Sequence, residues 1–219
     1  LLPLAAHADG WAPNLTTTAT WNSNVTNANL GSDRIAALQT QADLVASERY
    51  ALGRDDAAHL GFHAAADWTP RFNGLTTAAA GVRADWQHKF GLGPLAPLFL
   101  AEFGVDAVGA KDAARRGTAT SATLLLRKRF NDRWRATLTQ EFSDHAARGA
   151  VYDRRGEQTT IELGYDHDEA TRFTLAAFRR SGDVVSYATP PRPDLVALAT
   201  TRATVDTFGA PRVAYSVDA

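Results

Sequence analysis

Thr118–Phe142 reads TATSATLLLRKRFNDRWRATLTQEF, and taking every second residue splits it into two faces. One face collects Ala122, Leu124, Leu126, Phe130, Trp134, Ala136, Leu138 and Phe142, while the other collects Ser121, Thr123, Arg127, Arg129, Arg135, Thr137, Thr139 and Glu141. Alternation with a period of two, broken at Asn131-Asp132-Arg133, predicts a β-hairpin with one apolar and one polar face. The same pattern sets the register. A two-residue loop would put Leu126 beside Thr137 and mix the faces, whereas a three-residue loop pairs Phe130 with Trp134 and Leu126 with Leu138.

The bulk on the apolar face lies at its ends. Phe130, Trp134 and Phe142 bracket a middle of Leu and Ala, and each run is 10 to 13 residues long. That is close to the ~9–11 residues a tilted strand needs to cross the hydrocarbon of a bilayer, and aromatic girdles at both edges suit a lipid-facing surface. A soluble hairpin packed on a second sheet is the competing reading. It would turn Leu124, Leu126, Leu138 and Leu163 into a core.

Further strands follow on both sides. Leu15, Thr17, Ala19 and Trp21 alternate with threonines, and an Asn- and Ser-rich loop runs from Asn22 to Asp33. Arg34–Ala51 fits a strand by alternation and a helix by its Ala, Leu and Gln content; its neighbours favour strand. Leu60–Trp68, Ala80–Phe90 and Phe99–Ala107 repeat the alternation. A second hairpin sets Ile161, Leu163 and Tyr165 against Ala177, Leu175 and Phe173, and pairs Asp166 with Arg172 on the polar side. A connection from Ser181 to Thr200, with Pro190, Pro191 and Pro193, precedes strands at Thr201–Phe208 and Arg212–Asp218. Short links (GLGPLAP, NDR, DEA, GAP) interleave with long polar ones near 22–33, 109–117, 144–156 and 181–200.

The 219 residues carry a net charge of −1, no Cys and a mean hydropathy of −0.25. No basic excess points to nucleic acid, and no thiolate metal site or disulfide can form. No apolar run approaches the ~18 residues of a membrane helix, so any membrane crossing must be made by strands. Residues 1–8 read as the tail of a signal peptide, with Ala6-His7-Ala8 as a small-x-small cleavage site before Asp9. The reading is therefore a single domain over 9–219.

Over residues 14–218 the chain resembles bacterial outer-membrane β-barrel proteins as a broad class, through its alternation, girdles and loop asymmetry. The resemblance implies an all-β fold: an antiparallel up-and-down transmembrane barrel of about 10–12 strands in the outer membrane, with the N-terminus in the periplasm. The bilayer would be its partner and small polar solutes its cargo. Two features depart from that class. The sequence ends YSVDA without a terminal aromatic, and about eleven strands are legible where single-chain bacterial barrels have even numbers. The natural chain is accordingly expected to continue past Ala219 by at least one strand.

The candidate functional surface is the polar face. It carries Arg83, Asp85 and Lys89, then Glu102 and Asp106, Arg127 and Arg129, Arg135 and Glu141, Glu162 and Asp166, and Arg172 and Arg180. In a barrel these line the lumen, either as a pore that sorts solutes or as ion pairs that zip a closed interior. Arg129 and Arg135 fall opposite each other, and Asp166 and Glu102 are their expected counter-ions. Ser143-Asp144-His145 has the residue types of a catalytic triad but reads as a polar loop, because consecutive residues on extended chain cannot converge. His63 and Asp67 lie ~13 Å apart on one strand face, too far for a dyad. Asp166-His167-Asp168-Glu169 reads as a surface turn rather than a metal site. No catalytic residue and no cofactor is expected; a closed partner-binding barrel, an exported soluble binding protein and an outer-membrane enzyme are the alternatives.

Overall fold

The computed structural model describes residues 11–168, 170–208 and 210–218; the expected signal remnant at residues 1–8 lies outside them. The chain forms β1 (Ala12–Asn22), β2 (Ala37–Ala51), β3 (Asp56–Trp68), β4 (Thr77–Lys89), β5 (Leu98–Ala110) and β6 (Gly117–Arg129). There follow β7 (Trp134–Ala147), β8 (Arg154–Asp166), β9 (Arg172–Ala188), the short helix α1 (Pro193–Leu198), β10 (Ala199–Val205) and β11 (Arg212–Asp218). All eleven strands join one sheet in the order β1-β2-β3-β4-β5-β6-β7-β8-β9-β11-β10, each pairing antiparallel. The sheet curls into a half-barrel. Among the described residues no ladder joins its two outermost strands, β1 and β10.

Both hairpin registers follow the faces. Phe130 N donates to Trp134 O at 2.9 Å, and Leu126 sits opposite Leu138. The turn closes because Asn131 Oδ1 accepts from Arg133 N (2.9 Å) and Trp134 N (2.8 Å), an Asx turn that substitutes a side chain for missing backbone partners. Asp168 Oδ1 does the same for Ala170 N and Thr171 N in the next hairpin, where Ile161 faces Ala177 and Asp166 faces Arg172. The ambiguous segment is strand β2, held between β1 and β3.

The chain departs from the expected order at its end. Up-and-down pairing runs from β1 to β9, but β9 does not stop near Ser181. At Gly182, with φ 141°, it leaves β8 and continues to Ala188 against β11. A Cβ at Gly182 would lie 2.2 Å from Arg155 O, so only glycine permits this divergence.

The sheet curls around its polar side. His63 and Asp106 on that side are buried, while Leu124 (41 % exposed), Leu126 (45 %), Leu138 (44 %) and Leu163 (39 %) on the other side are not. These four leucines are therefore not buried in a core of this sheet. Trp21, Trp68, Trp86, Phe90, Phe130, Trp134 and Phe173 share the exposed side, most of them near strand ends, but Phe62, Phe103 and Phe142 stand on it in mid-strand. Phe142 does not bracket the band as the sequence suggests, because β7 runs on to Ala147. The apolar band thins at β7–β9, where Gln140 bonds Thr159 and Asp144 pairs with Arg155 at 2.9 Å.

The buried apolar core lies at the long-loop end. Val25, Phe72, Val151, Tyr152, Tyr187 and Phe208 pack together there, drawn from the β1–β2, β3–β4, β7–β8 and β10–β11 connections and from the end of β9. Tyr187 N donates to Thr26 O at 2.8 Å, so the β1–β2 loop meets the far side of the sheet. A side-chain latch fixes this meeting. Asp33 accepts from Arg192 Nη1 (2.8 Å) and from Thr189 N (3.1 Å), and Arg192 is also held by Asp194. The concave side is thus plugged at one end.

Candidate functional site

Alternation sends every second residue of each strand to the concave wall, and the ladders decide which charges meet. Arg83 on β4 pairs with Glu102 on β5 at 3.2 Å, and Asp85 takes His59 at 2.7 Å. At the short-turn end Asp166 gathers Arg172, Arg129 (3.7 Å) and Arg135 (3.9 Å), and Glu162 stands 3.9 Å from Arg135. Asp166 is thus the counter-ion the sequence suggests for the opposed Arg129 and Arg135. Glu102 is not. Leu98 pairs with Arg127, so Glu102 lies six positions along the ladder from Arg129, about 20 Å at ~3.3 Å per residue. Glu141 accepts from Gln158 at 3.2 Å, and Arg127 has no carboxylate within 4 Å among the described residues.

Sequence reasoning missed the most elaborately built cluster. His63 is not a partner of Asp67. Its Nδ1 lies 2.8 Å from Asp106 Oδ1 and its Nε2 lies 2.8 Å from Asp43 Oδ2. In the imidazolium form both nitrogens donate, one to each carboxylate. The ring is 6 % exposed, and the cluster spans β2, β3 and β5, with β4 between. Gly81 on β4 makes the reach possible, because a Cβ there would fall 2.4 Å from Asp106 Oδ1. The available signal was a glycine interrupting an alternating strand, a mark of close approach.

The Ser143-Asp144-His145 segment is part of β7, not a loop, because Ala147 N finds Asp153 Oδ1 at 2.7 Å and the strand runs on. Ser143 and His145 face the concave side, and Asp144 faces out to Arg155. Alternation thus separates the three residue types. Among the described residues no group of three or more His, Asp or Glu side chains is placed so that it could hold a metal ion, and His167 sits on an exposed turn.

The two walls differ in charge. On the concave side of β2–β5 stand the acids Asp43, Asp67, Asp85, Glu102 and Asp106 with Arg49, Arg83 and Lys89. On β6–β9 stand Arg127, Arg129, Arg135, Arg154, Arg172 and Arg180 with Glu141, Glu162 and Asp166. With the histidines neutral, five acids against three bases give −2, and six bases against three acids give +3. Outside the strands, hydrogen bonds from Thr189 and Arg192 hold the Asp33 carboxyl below its usual range although burial opposes them. The bidentate Arg192 pair pulls Asp194 down to about 2. No protein-family model, curated protein or solved structure matches this chain.

Proposed function

We propose that this chain is the wall of a membrane-embedded β-barrel in a bacterial outer membrane, with a charged interior that admits small polar solutes. The observation that carries this reading is the exposed apolar side of the sheet. Tryptophans and several phenylalanines stand near its strand ends, with leucines, alanines and the mid-strand Phe62, Phe103 and Phe142 between them, an apolar surface that costs free energy in water and gains it in lipid. Leu126→Arg tests it. In a bilayer the change is expected to cost about 2–4 kcal/mol near the midplane and to abolish insertion into liposomes. In a water-soluble sheet an exposed Leu126 would be replaced without loss, and that outcome, read by flotation and thermal melting, would sink the membrane reading.

A second reading is favoured by the apolar plug at the long-loop end: a closed barrel that stabilises the envelope or presents its loops to a partner. Conductance in a planar bilayer separates the two, with Glu162→Gln as the diagnostic variant. Glu162 is 38 % exposed and only 3.9 Å from Arg135, so its loss is expected to change stability by under about 1 kcal/mol. If solutes pass, removing that negative charge from the wall shifts selectivity toward anions. A bilayer that stays silent with both proteins supports the closed barrel.

A further inference from the structure

The charged wall is zipped unevenly. At the short-turn end Arg129, Arg135 and Arg172 share Asp166 and Glu162. Nearer the plug, Arg154 and Arg180 project from the same face and, with Arg115 from the β5–β6 connection, have no carboxylate within 4 Å among the described residues. The acids around them are engaged elsewhere. Asp112 accepts from Ala114 N and Tyr152 Oη, Asp153 from Ala147 N, Asp67 from Thr77 Oγ1, and Glu141 from Gln158.

Neutral donors surround the same cations. His145 sits directly across the ladder from Arg154, with Nδ1 3.5 Å from its Nη2. The other ring nitrogen, Nε2, is shut off from water and has no hydrogen-bond partner among the described residues, and the same holds for Tyr187 Oη. Arg115 and Arg154 lie near enough for their charges to act on both His145 and Tyr187. Arg115 is held in place, stacked 5.1 Å from the Tyr152 ring with Nη1 donating to Gly74 O at 2.9 Å.

Unpaired guanidinium groups beside orphaned donors, on the concave side next to the plug, suit a small tetrahedral oxyanion: it would bring the acceptor oxygens that this group lacks. We propose that Arg115, Arg154, Arg180 and His145 bind an oxyanion of the phosphate or sulfate class beneath the plug. This rests on the concave side being the barrel interior, but not on solute passage or on the membrane.

Inorganic phosphate titrated calorimetrically into the detergent-solubilised full chain, at fixed ionic strength, tests the site. Saturable binding is expected, weakened about tenfold or more by Arg154→Gln and less by Arg154→Lys, with unchanged thermal melts confirming that the variants fold. Arg83→Gln, on the opposite wall, is expected to leave affinity within twofold. Absence of saturable binding overturns the proposal. So does equal weakening by Arg154→Gln and Arg83→Gln, which would reveal a diffuse field rather than a site. Phosphate binding by a protein that fails to enter liposomes would leave this site standing and remove the membrane reading, whereas insertion without phosphate binding would do the reverse.

Discussion

Gly81→Ala is expected to destabilise the fold by about 1–3 kcal/mol, the range for forcing an extra methyl into a filled site. The added Cβ would lie 1.9 Å from Val105 O and 2.4 Å from Asp106 Oδ1. Either β5 moves away from β4 and loses ladder bonds, or the Asp106 carboxylate swings off His63. In the second case a buried ring keeps one carboxylate where it had two. Gly109→Ala is the matched control, on the neighbouring strand β5. Its Cβ would meet only Ala78 O, at 3.6 Å, an ordinary contact, so the change is expected to be neutral or slightly stabilising through the unfolded chain. Urea or thermal unfolding of both variants decides the matter. Equal stability of the two would mean that Gly81 has no role in seating Asp106.

The contrast between Gly81 and Gly109 also marks what could be read from the sequence. Alternation is a local property, so the two hairpins, their three-residue loops and the opposition of Arg129 and Arg135 were legible. Each needs only residues within ~20 positions of one another and the period of a strand. The Asp43–His63–Asp106 cluster was not legible, because its members lie on β2, β3 and β5 and meet only once four strands are in register. The plug escaped for a similar reason. Val25, Phe72 and Tyr152 belong to segments that read as turns or polar loops, where isolated apolar residues have no periodicity to mark them, and Phe208 reads as the last residue of a strand that in fact ends at Val205. They find one another because curling of the sheet brings its alternate connections to one end. Glu102 was misassigned through the opposite error. Face was known but height along the strand was not, and ion pairing is decided by height.

Asp33→Asn is expected to open the long-loop end at a cost of about 3 kcal/mol, the low end of the range for breaking a buried ion pair. Asp33 and Arg192 are each 6 % exposed at the side chain. Asparagine retains an acceptor for Thr189 N but turns an amide donor toward Arg192 Nη1, so the 2.8 Å bond becomes a donor facing a donor. The cost stays at the low end because Asp194 still grips Arg192 through its Nε and Nη2. Asp194→Asn, at a carboxylate 58 % exposed, is expected to cost less. Acid should reproduce the effect of Asp33→Asn. The Asp33 carboxyl is held below its usual range, so it binds its proton more weakly in the folded chain than in the unfolded one. Its contribution is complete above the ordinary carboxylate value of about 4 and falls away as pH drops through the lower folded value. In wild type, hydrogen exchange at Tyr187 N, which donates to Thr26 O across this junction, should therefore accelerate in that acid window relative to amides of β6. In Asp33→Asn it should already be fast at neutral pH and show no such acid step. Slow exchange at Tyr187 in the variant would place the closure of this end in the apolar plug alone, with the Asp33–Arg192 pair a bystander.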